Sequence, residues 1–275
     1  MQVVIPAAGI GSRFLPVTRV IPKELLLLGS LPLLHHALLE AEAGGFDRAV
    51  VVIAPGKQAL RTYLQPDPTL EARLAARGDQ AGLERLRSAA AIAARLRVTF
   101  VEQPDPRGLG DAVLRGAPRG QPFGVLLPDD VIPTGDHWLR LRRLSRRTGG
   151  PALYVRRVRR DQVHRFGVAH CAAQDGALRV RRLVEKPAPG EAGSDLVVFG
   201  RYIVTPEVLP ALVRRAGDAG PEIQLTDGLS ALVDRPAGVW AAEFRRAFYD
   251  CGTPADYARS VARWRSERND RRSRR

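Results

Sequence analysis

The chain has 275 residues, a formal net charge of +14 and two cysteines. Its length suits one α/β domain with a well-buried core, and two cysteines are too few for a disulfide framework. Because it has no apolar run of about 18 residues and no basic region before its first apolar stretch, we expect no membrane span, no signal peptide and a cytoplasmic location.

Strands and helices are predicted to alternate through the first 150 residues. Short runs rich in valine and leucine predict strands over residues 2–6, 48–54, 97–102 and 123–128. Helices are predicted between them, over residues 32–45, 66–95, 108–117 and 136–147, with 66–95 a helical insertion. This alternation predicts a largely parallel sheet covered by helices on both faces, with ligands at the carboxyl ends of its strands.

Past Gly150 the predicted elements become shorter and more alternating. Residues 152–158, 167–171, 178–187 and 195–204 have the pattern of antiparallel strands. Residues 265–275 form a basic tail with almost no apolar residues, and we expect that tail to be mobile.

Arginine supplies most of the positive charge, which is concentrated in residues 140–147, 154–160 and 263–275. Clustered arginine is the electrostatic footprint of nucleic-acid binding. No zinc-finger spacing or aromatic RNA-binding signature accompanies it here, so a solvated basic surface without a nucleic-acid partner is the favoured interpretation. Nucleic-acid binding stays open as the alternative.

A glycine-containing loop, AAGIGSRF, follows the first predicted strand. It lacks the Gly-Lys-Ser/Thr of a P-loop, and Phe14 stands where a dinucleotide fingerprint needs its third glycine. Backbone N–H groups around Gly9 and Gly11 can bind an anion, and two cations, Arg13 and Lys23, can hold a polyphosphate along its length. A glycine turn with solvated charges is the alternative.

Four further motifs each end a predicted strand or begin a helix. They are Leu-Pro-Asp-Asp at 127–130, Val-Glu-Lys-Pro at 184–187, Glu-Ile-Gln-Leu-Thr-Asp at 222–227 and Asp-Cys-Gly-Thr-Pro at 250–254. Mg²⁺ takes one or two carboxylates together with phosphate oxygens, so Asp129 and Asp250 are candidate ligands. Each motif alone also fits a turn, a cap or a solvated surface.

The order and spacing of seven motifs resemble those of the sugar-phosphate nucleotidylyltransferase family. The chain has Gly-x-Gly-Ser-Arg, Pro-Lys-Glu, Gln-Pro-x-Pro-x-Gly-Leu-Gly and then the four motifs above, and the likeness extends from Gln2 to about Trp264. The resemblance implies a Rossmann-like nucleotidyltransferase fold, with a mostly parallel central mixed sheet flanked by helices and a smaller antiparallel portion. One catalytic domain is then expected over residues 1–264.

The resemblance also implies a role for each matching residue on the nucleotide side. The backbone of Ala8, Gly9 and Gly11 would hold the nucleotide, and Arg13 and Lys23 its triphosphate. The pyrimidine would be recognised by Glu24, Gln103 and Gly108. Asp129 and Asp250 would bind Mg²⁺.

On the sugar side, Gly167 and Glu185 would contact the glucose, and Lys186 would bind its 1-phosphate. Glu222 would lie on this side as well. Arg13, Lys23 and Lys186 are the residues expected to serve catalysis.

The implied reaction is uridylyl transfer from UTP to glucose 1-phosphate, giving UDP-glucose and pyrophosphate, by a homo-oligomer (dimer or tetramer) that uses Mg²⁺. Gln-Pro-Asp-Pro-Arg-Gly-Leu is also similar to the thymidylyltransferases, so thymidylyl transfer is the first alternative. A nucleotide-sugar-binding regulator that has lost catalysis is the second.

Three residues depart from the family's pattern. Leu27 replaces a usual proline and Leu31 a usual lysine or similar polar residue, and both are expected to alter nucleotide affinity. Asp111 follows Gly-Leu-Gly where histidine is usual, and it is expected to place a negative charge near the phosphates.

Overall fold

The computed structural model describes residues 1–188, 190–217 and 222–273, with side chains described as far as Glu267. Its strands are β1 Gln2–Ala7, β2 Leu27–Leu28, β3 Leu31–Pro32, β4 Arg48–Ile53, β5 Thr99–Glu102, β6 Phe123–Leu126, β7 Asp130–Val131, β8 Ala152–Arg157, β9 Gly167–Gln174, β10 Ala177–Glu185, β11 Leu196–Val204, β12 Trp240–Glu243 and β13 Tyr249–Asp250. Its α-helices are α1 Leu33–Ala43, α2 Gln58–Leu64, α3 Pro68–Ala76, α4 Gln80–Arg95, α5 Gly108–Gly116, α6 His137–Thr148, α7 Val208–Gly217, α8 Leu225–Ser230 and α9 Pro254–Ser273.

Nine strands form one mixed sheet in the order β5-β4-β1-β6-β11-β8-β12-β10-β9. The first four strands are parallel, as the alternating pattern predicts. Strand β11 runs antiparallel to β6 and β8, and β9 and β10 form an antiparallel hairpin. The segments past Gly150 therefore extend the same sheet, and the parallel arrangement dominates only its first half.

Helices cover both faces of the sheet. In β1, Val3 and Ile5 pack into a core with α1, α2, α4 and α6, whereas Val4 packs into a second core with α5, α7 and α8. Alternate residues of a strand point to opposite faces, so a strand buried on both sides is apolar throughout. The predicted α/β fold with a mixed sheet flanked by helices is confirmed.

Two outcomes concern the predicted domain boundaries. Residues 66–95 hold helices α3 and α4, as predicted. Helix α9 continues from Pro254 through residue 273 with no break at Trp264. The mobility expected of the basic tail, residues 265–275, stays a prediction. Trp264 packs against His36 and Tyr249, which gives this helix an apolar anchor. Residues 274 and 275 lie outside the described residues.

In the described part of the chain, no helix is both long and apolar enough to cross a membrane.

Candidate active site

Two adjoining cavities lie at the carboxyl ends of β1, β5 and β6, where a parallel sheet binds its ligands. The first cavity has a volume of about 380 Å³ and the second about 310 Å³. Both are lined by Leu109, Leu127 and Asp129. Groups bound in the two cavities would therefore meet beside the Asp129 carboxylate.

The glycine loop after β1 forms one wall of the first cavity, which Ala8, Gly9 and Gly11 line. Gly11 has φ 72°, a conformation that favours glycine. The Thr18 hydroxyl donates to the Gly11 carbonyl at 2.8 Å and so closes the turn. Arg13, from the same loop, lines the second cavity, and its guanidinium lies 3.5 Å from the Gly252 carbonyl.

Lys23 and Glu24 also line the first cavity, and each has a charged partner. Lys23 Nζ donates to Asp129 Oδ2 at 2.9 Å. Burial lowers the pKa of Lys23, but the carboxylates of Asp129 and Glu24 outweigh this effect, so its pKa lies above the ordinary value. Lys23 is thus a fixed positive charge at the junction of the two cavities.

Lys57 is a buried site residue that the sequence did not reveal. Its Nζ donates to both carboxylate oxygens of Glu24, at 3.1 and 2.9 Å, and to the Ala7 carbonyl at 2.7 Å. Burial lowers the pKa of Lys57, and Glu24 only partly offsets this effect. The contact joins the end of β1 to the Pro-Lys-Glu motif, and no motif marks Lys57 in the sequence.

The far end of the first cavity is formed by Gln103, Gly108 and Glu222. Gly108 has φ 89°, and a Cβ there would lie 2.6 Å from the Ile223 carbonyl oxygen. The Ile223 carbonyl also accepts from the Gly110 N–H at 2.7 Å. This packing places Glu222 in the first cavity, whereas the resemblance places it on the sugar side.

Asp111 lies behind Gln103 and lines neither cavity. It accepts hydrogen bonds from Gln103 Nε2 at 2.8 Å and Arg115 Nε at 2.7 Å. The expectation that Asp111 brings a negative charge to the phosphates is wrong, because Arg115 offsets that charge. Leu27 and Leu31 also line neither cavity and instead lie in the β2–β3 hairpin, where Leu27 pairs with Pro32 and Leu31 with Leu28.

Asp129 and Asp250 converge in the second cavity. A Cβ on Gly252 would lie 3.3 Å from Asp250 Oδ1 and 3.7 Å from Asp129 Oδ2. Burial, together with Asp129 and Asp250, raises the pKa of the adjacent Asp130 to about 8. Hard oxygen donors in a region of excess negative charge fit a divalent cation such as Mg²⁺, which takes one or two carboxylates and substrate oxygens.

The rest of the second cavity carries Gly167, Glu185 and Lys186. Thr226 donates to Glu185 Oε2 at 3.0 Å, and a Cβ on Gly167 would lie 3.0 Å from the same oxygen. Lys186 is exposed and its Nζ lies 3.7 Å from Glu185. The structure therefore brings the sugar-side residues together, with the exception of Glu222.

Two arginines of the second cavity were missed at the sequence level, Arg156 and Arg165. The Arg156 guanidinium lies 5.0 Å from the Phe166 ring and 4.9 Å from the Phe248 ring. Arg165 pairs with Asp256 at 3.0 Å. Both lie in or beside the basic segment 154–160, whose arginines look alike in the sequence.

Comparison with known proteins places these motifs in a family. The nucleotidyl transferase family model matches residues 2–266. The chain is 34% identical to the UTP–glucose-1-phosphate uridylyltransferase of Bacillus subtilis, over 91% of this chain and 86% of that protein. It is 36% identical to the Streptococcus pneumoniae enzyme of the same name, over 94% and 90%.

Solved structures agree with this likeness. A crystal structure of UDP-glucose pyrophosphorylase complexed with UDP-glucose has a TM-score of 0.81 and 28% identity, covering 97% of this chain and 98% of that one. UTP-bound UGPase from Acinetobacter baumannii has a TM-score of 0.82 and 29% identity, covering 96% and 92%. The fold, the order of the motifs and the match over nearly the whole length agree, and the chain belongs to the nucleotidyl transferase family.

Proposed function

We propose that this chain transfers the uridylyl group of UTP to glucose 1-phosphate, giving UDP-glucose and pyrophosphate. The observation that carries the proposal is the meeting of two cavities at Asp129, beside the Lys23 ammonium. One cavity is suited to a nucleoside triphosphate and the other to a sugar phosphate. The names of the relatives and structural neighbours support the same reaction.

The reaction joins two anionic substrates, so positive charge is its main requirement. A phosphate oxygen of glucose 1-phosphate attacks the α-phosphorus of UTP, and the bond from that phosphorus to the β-phosphate breaks. The electron pair of that bond leaves with pyrophosphate. No residue needs to remove a proton, because the attacking phosphate is already ionised near neutral pH.

Arg13, Lys23 and Lys186 are proposed to supply this charge. Lys23 is fixed by Asp129 and does not have to reorganise when the substrates bind, which is the condition for efficient charge stabilisation. Lys186 is free enough to follow the 1-phosphate, and Arg13 lies across the cavity beside Gly252. Catalysis then consists chiefly of positioning and charge stabilisation.

Asp129 and Asp250 are proposed to hold Mg²⁺. When bound, the cation would reduce the repulsion between the substrates and offset charge on the leaving pyrophosphate. The converging carboxylates and the raised pKa of Asp130 support this assignment.

Ala8, Gly9 and Gly11 are proposed to hold the nucleotide, and Gln103, Gly108 and Glu24 to recognise uracil and its ribose. Glu24 is held by Lys57 but retains lone pairs for further hydrogen bonds. Gly167 and Glu185 would contact the glucose. Glu222 is proposed to face the nucleotide, since it lines the first cavity.

Pyrophosphate release tests the proposal. The purified protein is mixed with Mg²⁺, glucose 1-phosphate and UTP, CTP, ATP, GTP or dTTP in separate reactions. We expect turnover with UTP, a catalytic efficiency lower by roughly tenfold or more with dTTP, consistent with loss of the contact to the 2′-hydroxyl, and almost none with ATP or GTP. Dominant dTDP-glucose from an equal mixture of UTP and dTTP would contradict uridylyl transfer, and no turnover at all would favour a binding protein.

Assembly as a dimer or tetramer and a cytoplasmic location stay predictions from the sequence. Light scattering and cell fractionation test them.

A further inference from the structure

Asp111 is buried on helix α5, with a side-chain exposure of 9%. Its neighbours are Gln103, which forms the end of the first cavity, and Arg115, one turn further along the helix. A buried carboxylate needs partners, and here one carboxylate oxygen accepts from both of them. Asp111 therefore touches the proposed uracil site only through Gln103.

These contacts fix which way the Gln103 amide points. Its Nε2 donates to Asp111 Oδ2 at 2.8 Å and to the Gly108 carbonyl at 3.1 Å. An ionised carboxylate only accepts hydrogen bonds, so the reversed amide would place its oxygen against two acceptors. The NH₂ group is thus held toward Asp111 and Gly108.

The other end of the amide is available to a ligand. Gln103 lines the first cavity. Within the described residues its Oε1 accepts no hydrogen bond, and this atom is not fully buried. The site therefore offers a fixed acceptor to whatever base enters the first cavity.

An acceptor at this point distinguishes the two pyrimidines of RNA. Position 3 of uracil is an N–H donor, whereas position 3 of cytosine is an acceptor. With the amide fixed in this way, Gln103 Oε1 would accept from the uracil N3–H and repel the cytosine N3 lone pair. A reversed amide would favour cytosine instead. Thymine has the same N3–H as uracil, so the amide orientation does not distinguish UTP from dTTP.

We propose that Asp111 is a positioning residue that sets the choice of UTP over CTP by locking the Gln103 amide with Oε1 toward the base. The inference rests on the proposed function, because it requires Gln103 to face the base. Asp111 touches neither substrate.

The test compares Asp111→Ala with a matched control, Arg115→Met. Alanine suits the helix and removes the acceptor. Arg115→Met removes the other partner of Asp111 but leaves the contact with Gln103. In Asp111→Ala we expect the ratio of kcat/KM for UTP to that for CTP to fall roughly tenfold or more, as for loss of one hydrogen bond to a charged group.

Four further readouts separate positioning from general damage. In Asp111→Ala the UTP-to-dTTP ratio should stay within about twofold, and KM for UTP should rise more than kcat falls. Asp111→Asn, whose side-chain carbonyl still accepts, should restore most of the UTP-to-CTP ratio. Calorimetry of UDP and CDP binding, which needs no turnover, should show a similar loss of preference for the uracil nucleotide in Asp111→Ala.

An unchanged UTP-to-CTP ratio in folded Asp111→Ala, or an equal fall in Arg115→Met, would overturn the inference. If Asp111→Ala does not melt cooperatively, Asp111→Leu carries the same expectation. Wild-type protein that uses UTP and CTP equally would also overturn it. Wild-type protein that releases no pyrophosphate from UTP would instead defeat the proposed function, and the UDP and CDP binding arm would still test Asp111.

Discussion

Asp129 is a charged residue that both cavities share. It lines each of them, accepts from Lys23, and lies near Asp250. Burial raises the pKa of Asp129, but the Lys23 ammonium outweighs burial and holds this pKa below its ordinary value. A permanently ionised carboxylate is what a divalent cation requires of its ligand.

Replacing Asp129 with asparagine should cut turnover by at least about a hundredfold, the scale seen when one charge-stabilising group is lost. The side chain keeps its shape, so circular dichroism should be unchanged. Pyrophosphate release measures the loss, and Asp161→Asn, at an exposed surface position, is the matched control. Near-wild-type release from Asp129→Asn would remove Asp129 from the proposed metal site.

At the scale of elements, the start of α5 and the segment before α8 form one unit. The Ile223 N–H donates to the Arg107 carbonyl at 2.8 Å, and the Ile223 carbonyl accepts from Gly110. Two motifs more than a hundred residues apart in the sequence thus share one wall of the first cavity. This contact depends on glycine, because a Cβ on Gly108 would meet the Ile223 carbonyl.

Gly108→Ala should destabilise the protein by more than about 1 kcal/mol and raise KM for UTP, since alanine adds strain at positive φ as well as a clash. Gly120→Ala is the matched control, because Gly120 has φ 64° with nothing within 4 Å of its Cβ position. Thermal melting and UTP kinetics are measured for both. Equal effects in the two variants would show that the Ile223 contact contributes nothing.

Helix α1 carries a histidine that should make stability depend on pH. Burial, with smaller contributions from His36 and Arg95, lowers the pKa of His35 from 6.5 to about 4. Its Nδ1 is hydrogen-bonded to the Tyr63 hydroxyl at 2.7 Å. Between pH 6.5 and about 4 the unfolded state binds the His35 proton more strongly than the folded state does. The free energy of unfolding therefore falls as the pH falls from 6.5 to about 4.

We expect His35 to contribute roughly 2 to 3 kcal/mol to that fall, at about 1.4 kcal/mol per pKa unit. His35→Asn, which can keep the bond to Tyr63, should flatten the dependence of unfolding free energy on pH between 6.5 and 4. Urea denaturation at pH 7, 5.5 and 4 measures the slope. If the unfolding free energies of the variant and the wild type changed equally with pH, His35 would not be the source of the pH dependence.

The sequence predicted strands and helices well wherever the pattern of apolar residues extended over several residues. The apolar runs that became β1, β4 and β6 are largely buried on both faces, and β5 is a partly exposed edge strand. The α1 and α4 patterns span several turns. The pairs β2–β3 and β7–β13 were missed because a two-residue strand has no period. Helix α9 was not predicted, because its polar sequence has no clear apolar face.

The candidate site divides along similar lines. Lys23, Asp129 and Gln103 lie in motifs, so their positions could be predicted. Lys57 pairs with Glu24 across 33 positions of sequence, and only the fold brings them together. The departure at Asp111 was visible, but its consequence was not, because only the fold shows that its carboxylate lines neither cavity and pairs with Arg115.

At the scale of the whole molecule, one buried charge cluster joins three elements. Glu40 of α1 pairs with Arg201 of β11 at 2.6 Å and accepts from the Trp138 indole of α6 at 3.0 Å. Burial raises the pKa of Glu40, but Arg201 and His137 outweigh burial and hold its pKa below the ordinary value. Arg201 also donates to the Leu127 carbonyl at 2.9 Å, in the loop that carries Asp129.

Arg201 therefore has two roles, and a pair of variants can separate them. Arg201→Met leaves the Glu40 charge buried without its main partner, which should cost about 3 to 5 kcal/mol of stability. Adding Glu40→Leu removes the unpaired charge and should recover much of that loss, because replacing a buried ion pair with apolar side chains is often near neutral. Arg201→Met also removes the donors to the Leu127 and Asp130 carbonyls, so its turnover should be low. Turnover should stay low in the double variant, because Glu40→Leu does not restore these donors. Urea denaturation and pyrophosphate release measure the two properties independently. If activity returned together with stability, the loop would be held in place by general packing, and Arg201 would have no part in positioning Asp129.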